Sequence, residues 1–389
     1  MSQTLAQIAQ QLKDSDKKVQ LIYAFNGSGK TRLSREFKEL VAPKQVAADD
    51  QEDGQPARNK ILYYNAFTED LFYWDNDLDG DVARKLRIQP NTYTEWALVE
   101  QGQDRNAIGH FQRYTDDKLT PKFNEAYKIT DQDGTERTIP AFSEVTFSFE
   151  RGDDQKTDNV KISKGEESNF IWSIFYAVLE QVIGVLNVAE PAEREANQFD
   201  ALEYIFIDDP VSSLDENHLI QLAVDLSALI KSSQSGLKFI ISTHSTLFYN
   251  VLFSELKPSE GYILRRTDKA GFEFEAKRGD SNTSFSYHLH IKRLIERAVE
   301  ERAVQRYHFN LLRNLYEKAA SFLGYQQWSD LLPGDKAAYA KRIMHFYSHR
   351  SLSNEEIAEP TDEEKQMVKF LVEHLASQYR FWQPEVVNA

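Results

Sequence analysis

The chain has 389 residues, 28% of them charged, with a net charge of −15 and no cysteine. That length suffices for two domains and a sizeable core. The missing thiols exclude disulfides, thiolate metal sites and a cysteine nucleophile, and they fit a reducing cytoplasm. The acidic balance argues against a protein that coats nucleic acid through clustered Lys and Arg, although it leaves room for a local basic patch. The first eighteen residues are polar and mixed in charge, so no secretory signal is expected. No run of about 18 apolar residues suggests a membrane span.

Residues 1–40 read as a short amphipathic helix, a strand and a second helix. Between strand and helix lies Ala24-Phe-Asn-Gly-Ser-Gly-Lys-Thr31, a phosphate-binding loop. Gly27 and Gly29 let the backbone curl so that N–H groups converge on an anion. Asn26, Ser28 and the loop amides line the phosphates, Lys30 reaches the β- and γ-phosphates, and the Thr31 hydroxyl ligates Mg²⁺. The helix from Thr31 aims its positive end at the same charge. Ala24 stands where the pattern expects glycine. Nothing in the loop separates ATP from GTP, because it contacts phosphates and not the base.

Residues 43–59 are a polar loop, Ile61–Tyr64 a strand, and Phe67–Trp74 an aromatic packed surface turn. Residues 128–140 predict a hairpin turning at Asp133-Gly134, and Val145–Phe149 alternates like a half-buried strand. The apolar stretch Phe170–Val188, broken by Ser173, Glu180 and Gln181, reads as a buried helix within Ser168–Asn187. Strands near 204–209, 237–242 and 261–265 alternate with helices near 216–232 and 245–256, the signature of a parallel α/β sheet. After a last strand-like piece, Phe272–Ala276, helices are expected over 285–303, 306–323, 334–347 and 361–380. The expected architecture is a P-loop α/β domain over 1–265 followed by an all-helical domain over 266–389.

Residues 203–215, Glu-Tyr-Ile-Phe-Ile-Asp-Asp-Pro-Val-Ser-Ser-Leu-Asp, end a buried strand in two acids. Asp208 suits the Mg²⁺ shell and Asp209 the attacking water. The segment resembles ABC-type ATPases, in which a Ser-x-Leu-Asp loop follows the Walker B strand, here Ser212 to Asp215. In the same order as in that family, Ser163-Lys-Gly-Glu-Glu167 resembles the signature loop, with Ser163, Gly165 and Glu166 as nucleotide contacts. His244, at the end of Phe-Ile-Ile-Ser-Thr-His, resembles the switch histidine. The resemblance implies a head-to-tail dimer in which Ser163 and Gly165 meet the γ-phosphate held by Lys30 of a second copy, with Asp215 at the same interface. Asp209 replaces the usual Glu, so slow hydrolysis is expected. The residue of the glutamine loop falls somewhere in Asn65–Phe72.

The helical part holds His288, His290, His308, His345, His349 and His374, with no thiolate or adjacent His-acid motif to suggest zinc. It also holds a stretch, 288–318, rich in Lys and Arg but interrupted by acids, which is the candidate for a local basic patch and reads equally as a solvated helix face. Arg313 and Glu317 share a helix face four residues apart. Together with His349 they are the groups an RNA-cleaving site needs: one to take the 2′-OH proton, one to protonate the leaving 5′-oxygen, one to stabilise the phosphorane. Alone, an Arg–Glu pair at this spacing is most often a surface ion pair of about 0.3–0.5 kcal/mol.

The combination of head and tail resembles the anticodon nucleases of the PrrC type. It rests on Ala24–Arg35, Tyr63–Asp77, Ser163–Trp172, Gly279–His290 and Leu311–Lys318. The resemblance implies an endoribonuclease that cuts the anticodon loop of tRNA-Lys beside the wobble base, leaving a 2′,3′-cyclic phosphate and a 5′-hydroxyl. It places the catalytic groups on Arg313, Glu317 and His349, and wobble-base reading on Asp280. It further implies GTP or ATP with Mg²⁺, dTTP as a stabiliser of the active form, and a homo-oligomer of head-to-tail dimers extending to a tetramer. A type I restriction–modification enzyme as silencing partner, a phage-encoded activator and a cytoplasmic role in antiphage defence without membrane contact complete the picture. Two alternatives are a DNA-repair or chromosome-maintenance ATPase and a transporter ATPase subunit. The first usually carries a long coiled coil, and residues 30–160 show no sustained heptads; the 120-residue helical tail is unusual for the second.

Overall fold

A computed structural model describes residues 2–43, 60–76, 84–130, 136–150, 156–210, 214, 216–256, 260–267, 271–277, 287–348 and 359–379. Two compact units emerge, Met1–Arg278 and Gly279–Ala389.

The first unit opens with α1 (Leu5–Asp14), β1 (Val19–Tyr23) and α2 (Lys30–Val41). Next come β2 (Ile61–Asn65), β3 (Phe72–Asp75), β4 (Lys85–Ile88), α3 (Thr92–Glu95) and α4 (Asp104–Tyr114). An antiparallel region holds β5 (Leu119–Phe123), β6 (Tyr127–Thr130), β7 (Glu136–Ile139), β8 (Glu144–Glu150) and β9 (Lys156–Thr157). The remainder is α5 (Lys164–Leu186), β10 (Tyr204–Asp208), α6 (Glu216–Ser232), β11 (Lys238–Thr243), α7 (Thr246–Glu255), β12 (Glu260–Arg266) and β13 (Phe272–Ala276).

The main sheet runs β13-β12-β1-β11-β10-β2. All its pairings are parallel except β12 with β13. Its central strands are buried throughout, as strands covered on both faces must be. A second sheet, β3-β4-β8-β5, is antiparallel. The β6–β7 hairpin forms as expected, its Asp133-Gly134 turn lying outside the described residues.

Helix α5 is apolar on nearly every side, and such a helix must be enclosed. It is wedged between the sheets. Phe170 meets Phe72, Phe123 and Phe147 of the antiparallel sheet, while Trp172 and Phe175 meet Tyr64 of β2. By length and composition α5 is apolar enough to cross a membrane, yet 83% of its apolar window is buried inside the protein.

The division expected after residue 265 falls inside β12, and the first unit continues to Arg278. The cause is β13, which pairs along β12 and is bridged at Phe272 to Gln3.

The second unit is helical: α8 (Tyr287–Glu300), α9 (Arg306–Leu323), α10 (Lys336–Ser348) and α11 (Asp362–Gln378). Its core gathers Ile291, Ile295, Phe309, Leu312, Leu315, Tyr316, Leu331, Val368, Leu371 and Leu375. Gly324, at φ +81°, ends α9. This unit carries 14 Lys and Arg against 15 Asp and Glu, so nearly all of the net charge of −15 belongs to the first unit.

Candidate functional site

The register of the main sheet assembles the nucleotide site. Tyr23 lies opposite Thr243, Ser242 opposite Asp208, and Asp208 opposite Asn65. Parallel strands thus deliver the P-loop, the two acids, His244 and Asn65 to one edge, where ligands of open α/β sheets bind. Asn65 is the member of the expected Asn65–Phe72 stretch that this register sets beside the metal acid.

Gly27 and Gly29 take φ of +81° and +96°. A Cβ at Gly29 would sit 3.0 Å from the Phe272 ring, a tight approach that adds to the strain any side chain would meet at this φ. Ala24 is fully buried and is not among the residues at positive φ, which is why alanine serves where the pattern expects glycine. Lys30 begins α2, one residue earlier than expected, and is almost fully buried. Its ammonium donates to the Ala24 carbonyl at 3.2 Å and to Asn26 Oδ1 at 3.2 Å, and pairs with Asp209 at 3.4 Å.

Asp208 is completely buried. Burial pushes its carboxyl above the ordinary range, against hydrogen bonds from Ser242 and Thr31 that pull it down. The two residues expected to hold Mg²⁺, Thr31 and Asp208, therefore touch, and a buried carboxylate short of countercharge fits a cation. Asp209 has the opposite balance. Burial raises it, but the hydrogen bond from His244 and the charge of Lys30 outweigh that and hold it below the usual range. His244 Nδ1 lies 2.7 and 2.8 Å from its two oxygens, and the His244 amide donates to it at 3.3 Å. Asp209 sits at φ +54°, a region that Asp tolerates far better than longer side chains do. That preference is a backbone reason for Asp in place of Glu.

Three residues at this site escaped the sequence reading. Ser242 donates to Asp208. Ser34 lies 3.4 Å from Asp208 and 2.8 Å from the Tyr63 hydroxyl. The only local signals were Ser34 lying three residues after Thr31 on one helix face and a polar residue inside a buried strand.

At the signature segment the helix starts earlier than expected. Ser163 is its N-cap, and Ser163 and Glu166 form a reciprocal capping box, with Glu166 Oε2 accepting the Ser163 amide at 2.7 Å. Ser163 and Gly165 thus stand at the positive end of a 23-residue helix. Glu167 is buried and fixed by the Trp74 indole N–H at 2.9 Å and by Lys164 at 2.6 Å. The expected turn thus covers only the first part of the aromatic run, a short helical turn over Ala66–Leu71, while Phe72–Asp75 is strand β3, clamped onto this helix by Trp74. Asp215 and the Ser212–Ser213 pair lie outside the described residues.

In the helical unit Arg313 Nε donates to Glu317 Oε1 at 2.8 Å, both side chains half-buried on α9. The Arg313 guanidinium lies over the Trp328 ring at 5.7 Å. His308 is a core histidine: its Nδ1 accepts the Gln305 amide, and burial lowers its pKa. His349 and Asp280 lie outside the described residues.

Residues 142–372 match the family described as AAA domain. The chain is 55% identical over 410 aligned residues to the Anticodon nuclease of Escherichia coli, with all of both proteins covered. Among solved structures it is similar to the SMC head domain from Thermotoga maritima, at 10% identity and TM-score 0.31, over 68% of this chain and 92% of that one. It is also similar to the SmcHead bound to the C-winged helix domain of ScpA, at 11% identity and TM-score 0.34, over 69% and 93%. Scores this low give the likeness no further weight.

Proposed function

The chain belongs to the anticodon nuclease family, and from that premise we propose a nucleotide-gated endoribonuclease that cuts the anticodon loop of tRNA-Lys beside the wobble base. The observation that carries the reading is the full-length relationship to the anticodon nuclease, supported by the Arg313–Glu317 pair on α9 in the second compact unit.

In the first centre Lys30 and the loop amides bind the triphosphate, Thr31 and Asp208 hold Mg²⁺, and Asp209 orients water with His244 as its partner. The metal neutralises charge on the phosphates. Ser163, Gly165 and Glu166, with Asp215, serve the nucleotide of a second copy, so nucleotide cements a head-to-tail dimer and hydrolysis loosens it. The nucleotide is GTP or ATP, with dTTP able to stabilise the active form.

In the second centre Arg313, Glu317 and His349 act without a metal. The 2′-hydroxyl attacks the adjacent phosphorus, Glu317 and His349 divide the proton transfers, and Arg313 stabilises the phosphorane. The products are a 2′,3′-cyclic phosphate and a 5′-hydroxyl. Asp280 contacts the wobble base, where a carboxylate suits a cationic modified base. The same reading makes the protein a cytoplasmic antiphage effector, a dimer or tetramer, silenced by a type I restriction–modification enzyme and released by a phage-encoded activator.

The test is incubation with total bacterial tRNA, with and without nucleotide, followed by end-group analysis. One cut carrying the stated ends, dependent on nucleotide, is expected. Full cutting by His349→Ala refutes the catalytic assignment, nucleotide-indifferent cutting refutes the gating, and uncut tRNA refutes the proposed substrate.

A further inference from the structure

We propose that Trp328 is a positioning residue for the nuclease step, holding the Arg313 guanidinium in the orientation that meets the scissile phosphate. The inference rests on the reading of Arg313 as catalytic.

A surface arginine on a helix normally samples many rotamers, and a phosphate-binding guanidinium must present one edge. Arg313 is restrained from two directions. Its Nε is engaged by Glu317 Oε1 at 2.8 Å along the helix. Its Cζ lies over the Trp328 ring, 5.7 Å from the ring centre, the indole being contributed by the short helical turn Trp328–Leu331 that follows α9. The two restraints come from different elements: the carboxylate, on α9 itself, holds the Nε, and the indole, from the turn after α9, backs the guanidinium carbon.

The indole is itself anchored. It packs on the core of the helical unit, where its neighbours Leu331 and Leu332 are buried. Its ring meets Tyr316 edge-on at 6.5 Å, and the Tyr316 hydroxyl is tied to the Leu371 carbonyl at 2.9 Å. A chain of contacts therefore runs from α11 through Tyr316 and Trp328 to Arg313. An aromatic face beside a cation also excludes water from one side of it, which strengthens its pull on an anion.

The experiment compares Trp328→Leu, which fills much of the space without a π face, with Trp328→Phe, which keeps one. Both are assayed in the full chain for tRNA cleavage and nucleotide hydrolysis. Trp328→Leu is expected to lower kcat for cleavage between about two- and thirty-fold, the range of a cation–π contact. KM should stay within about twofold and nucleotide hydrolysis should be unchanged. Trp328→Phe should recover most of the loss. If Trp328→Leu cuts at the wild-type rate while Arg313→Ala is inactive, or if Trp328→Phe is as impaired as Trp328→Leu, the positioning role is overturned. If Arg313→Ala itself cuts at the full rate, the assignment of the nuclease centre falls, and this inference with it.

Discussion

The adjacent acids Asp208 and Asp209 answer the same substitution with opposite signs. Asp208 has no exposure, and its surroundings favour the neutral carboxyl, because burial and the neighbouring Asp209 outweigh Ser242, Thr31 and Lys30. A group whose folded pKa is raised contributes stability that is fully present below its unfolded pKa and is lost as pH rises through the folded value. At neutral pH, well above the unfolded value, Asp208 therefore weakens the metal-free protein. Asp208→Asn removes that charge while keeping the shape, and the Ser242 and Ser34 hydroxyls can rotate to suit an amide. A gain of about 0.5–2 kcal/mol is expected, at the cost of Mg²⁺-dependent hydrolysis. Asp209 is held ionised by His244 and Lys30, so its contribution is present above the unfolded pKa and fades as pH falls through the lowered folded value. Asp209→Asn leaves the nearly buried Lys30 without its counter-charge and should cost about 1–3 kcal/mol. Denaturant unfolding at pH 7.5 and again near pH 4, without nucleotide or Mg²⁺, reads both. The Asp208→Asn gain should shrink on acidification. Loss of stability at pH 7.5 in both variants would show that the electrostatic contrast between the neighbours is wrong.

Ala24→Gly should lower stability by about 1 kcal/mol, through added unfolded-state entropy and a lost buried methyl, and leave nucleotide affinity unchanged in a fluorescence titration. Arg302 adopts φ +55° just beyond α8, so Arg302→Gly should stabilise the helical unit by about 0.5–1 kcal/mol in urea unfolding. Trp74→Phe keeps the ring but leaves buried Glu167 one donor short, with a cost of about 1–3 kcal/mol in thermal melting. Asp209→Glu should speed single-turnover hydrolysis through its longer reach, while lowering the melting temperature because Glu tolerates positive φ poorly; a slower turnover would refute the reach argument.

What could be read in the sequence was what short spacing encodes. The P-loop, the paired acids and His244 each occupy one contiguous segment, and alternation of strands with helices is enough to bring them to one sheet edge. The four helices of the second unit were legible within a few residues because their apolar positions repeat every three to four residues. The antiparallel sheet was mostly hidden: β3 and β4 are four residues each, too short for alternation to register. Helix α4 did carry a signal, with Ala107, Phe111 and Tyr114 buried at helical spacing. The start of α5 was written in the Ser163–Glu166 capping box, which the signature-loop reading obscured. Trp328 and Arg313 are fifteen positions apart, and only tertiary packing joins them.

The uneven sharing of charge between the two units bears on how a polyanion is captured. Roughly the whole acidic surplus sits on the nucleotide-binding head, whereas the helical unit is close to neutral. Long-range attraction therefore contributes little to the encounter of RNA with the helical unit, since charges beyond a Debye length of about 8 Å are screened at physiological salt. Recognition is left to close-range contacts formed after collision. With few phosphates neutralised, few counterions are released, so the affinity of this protein for RNA should vary far less steeply with ionic strength than that of a basic ribonuclease.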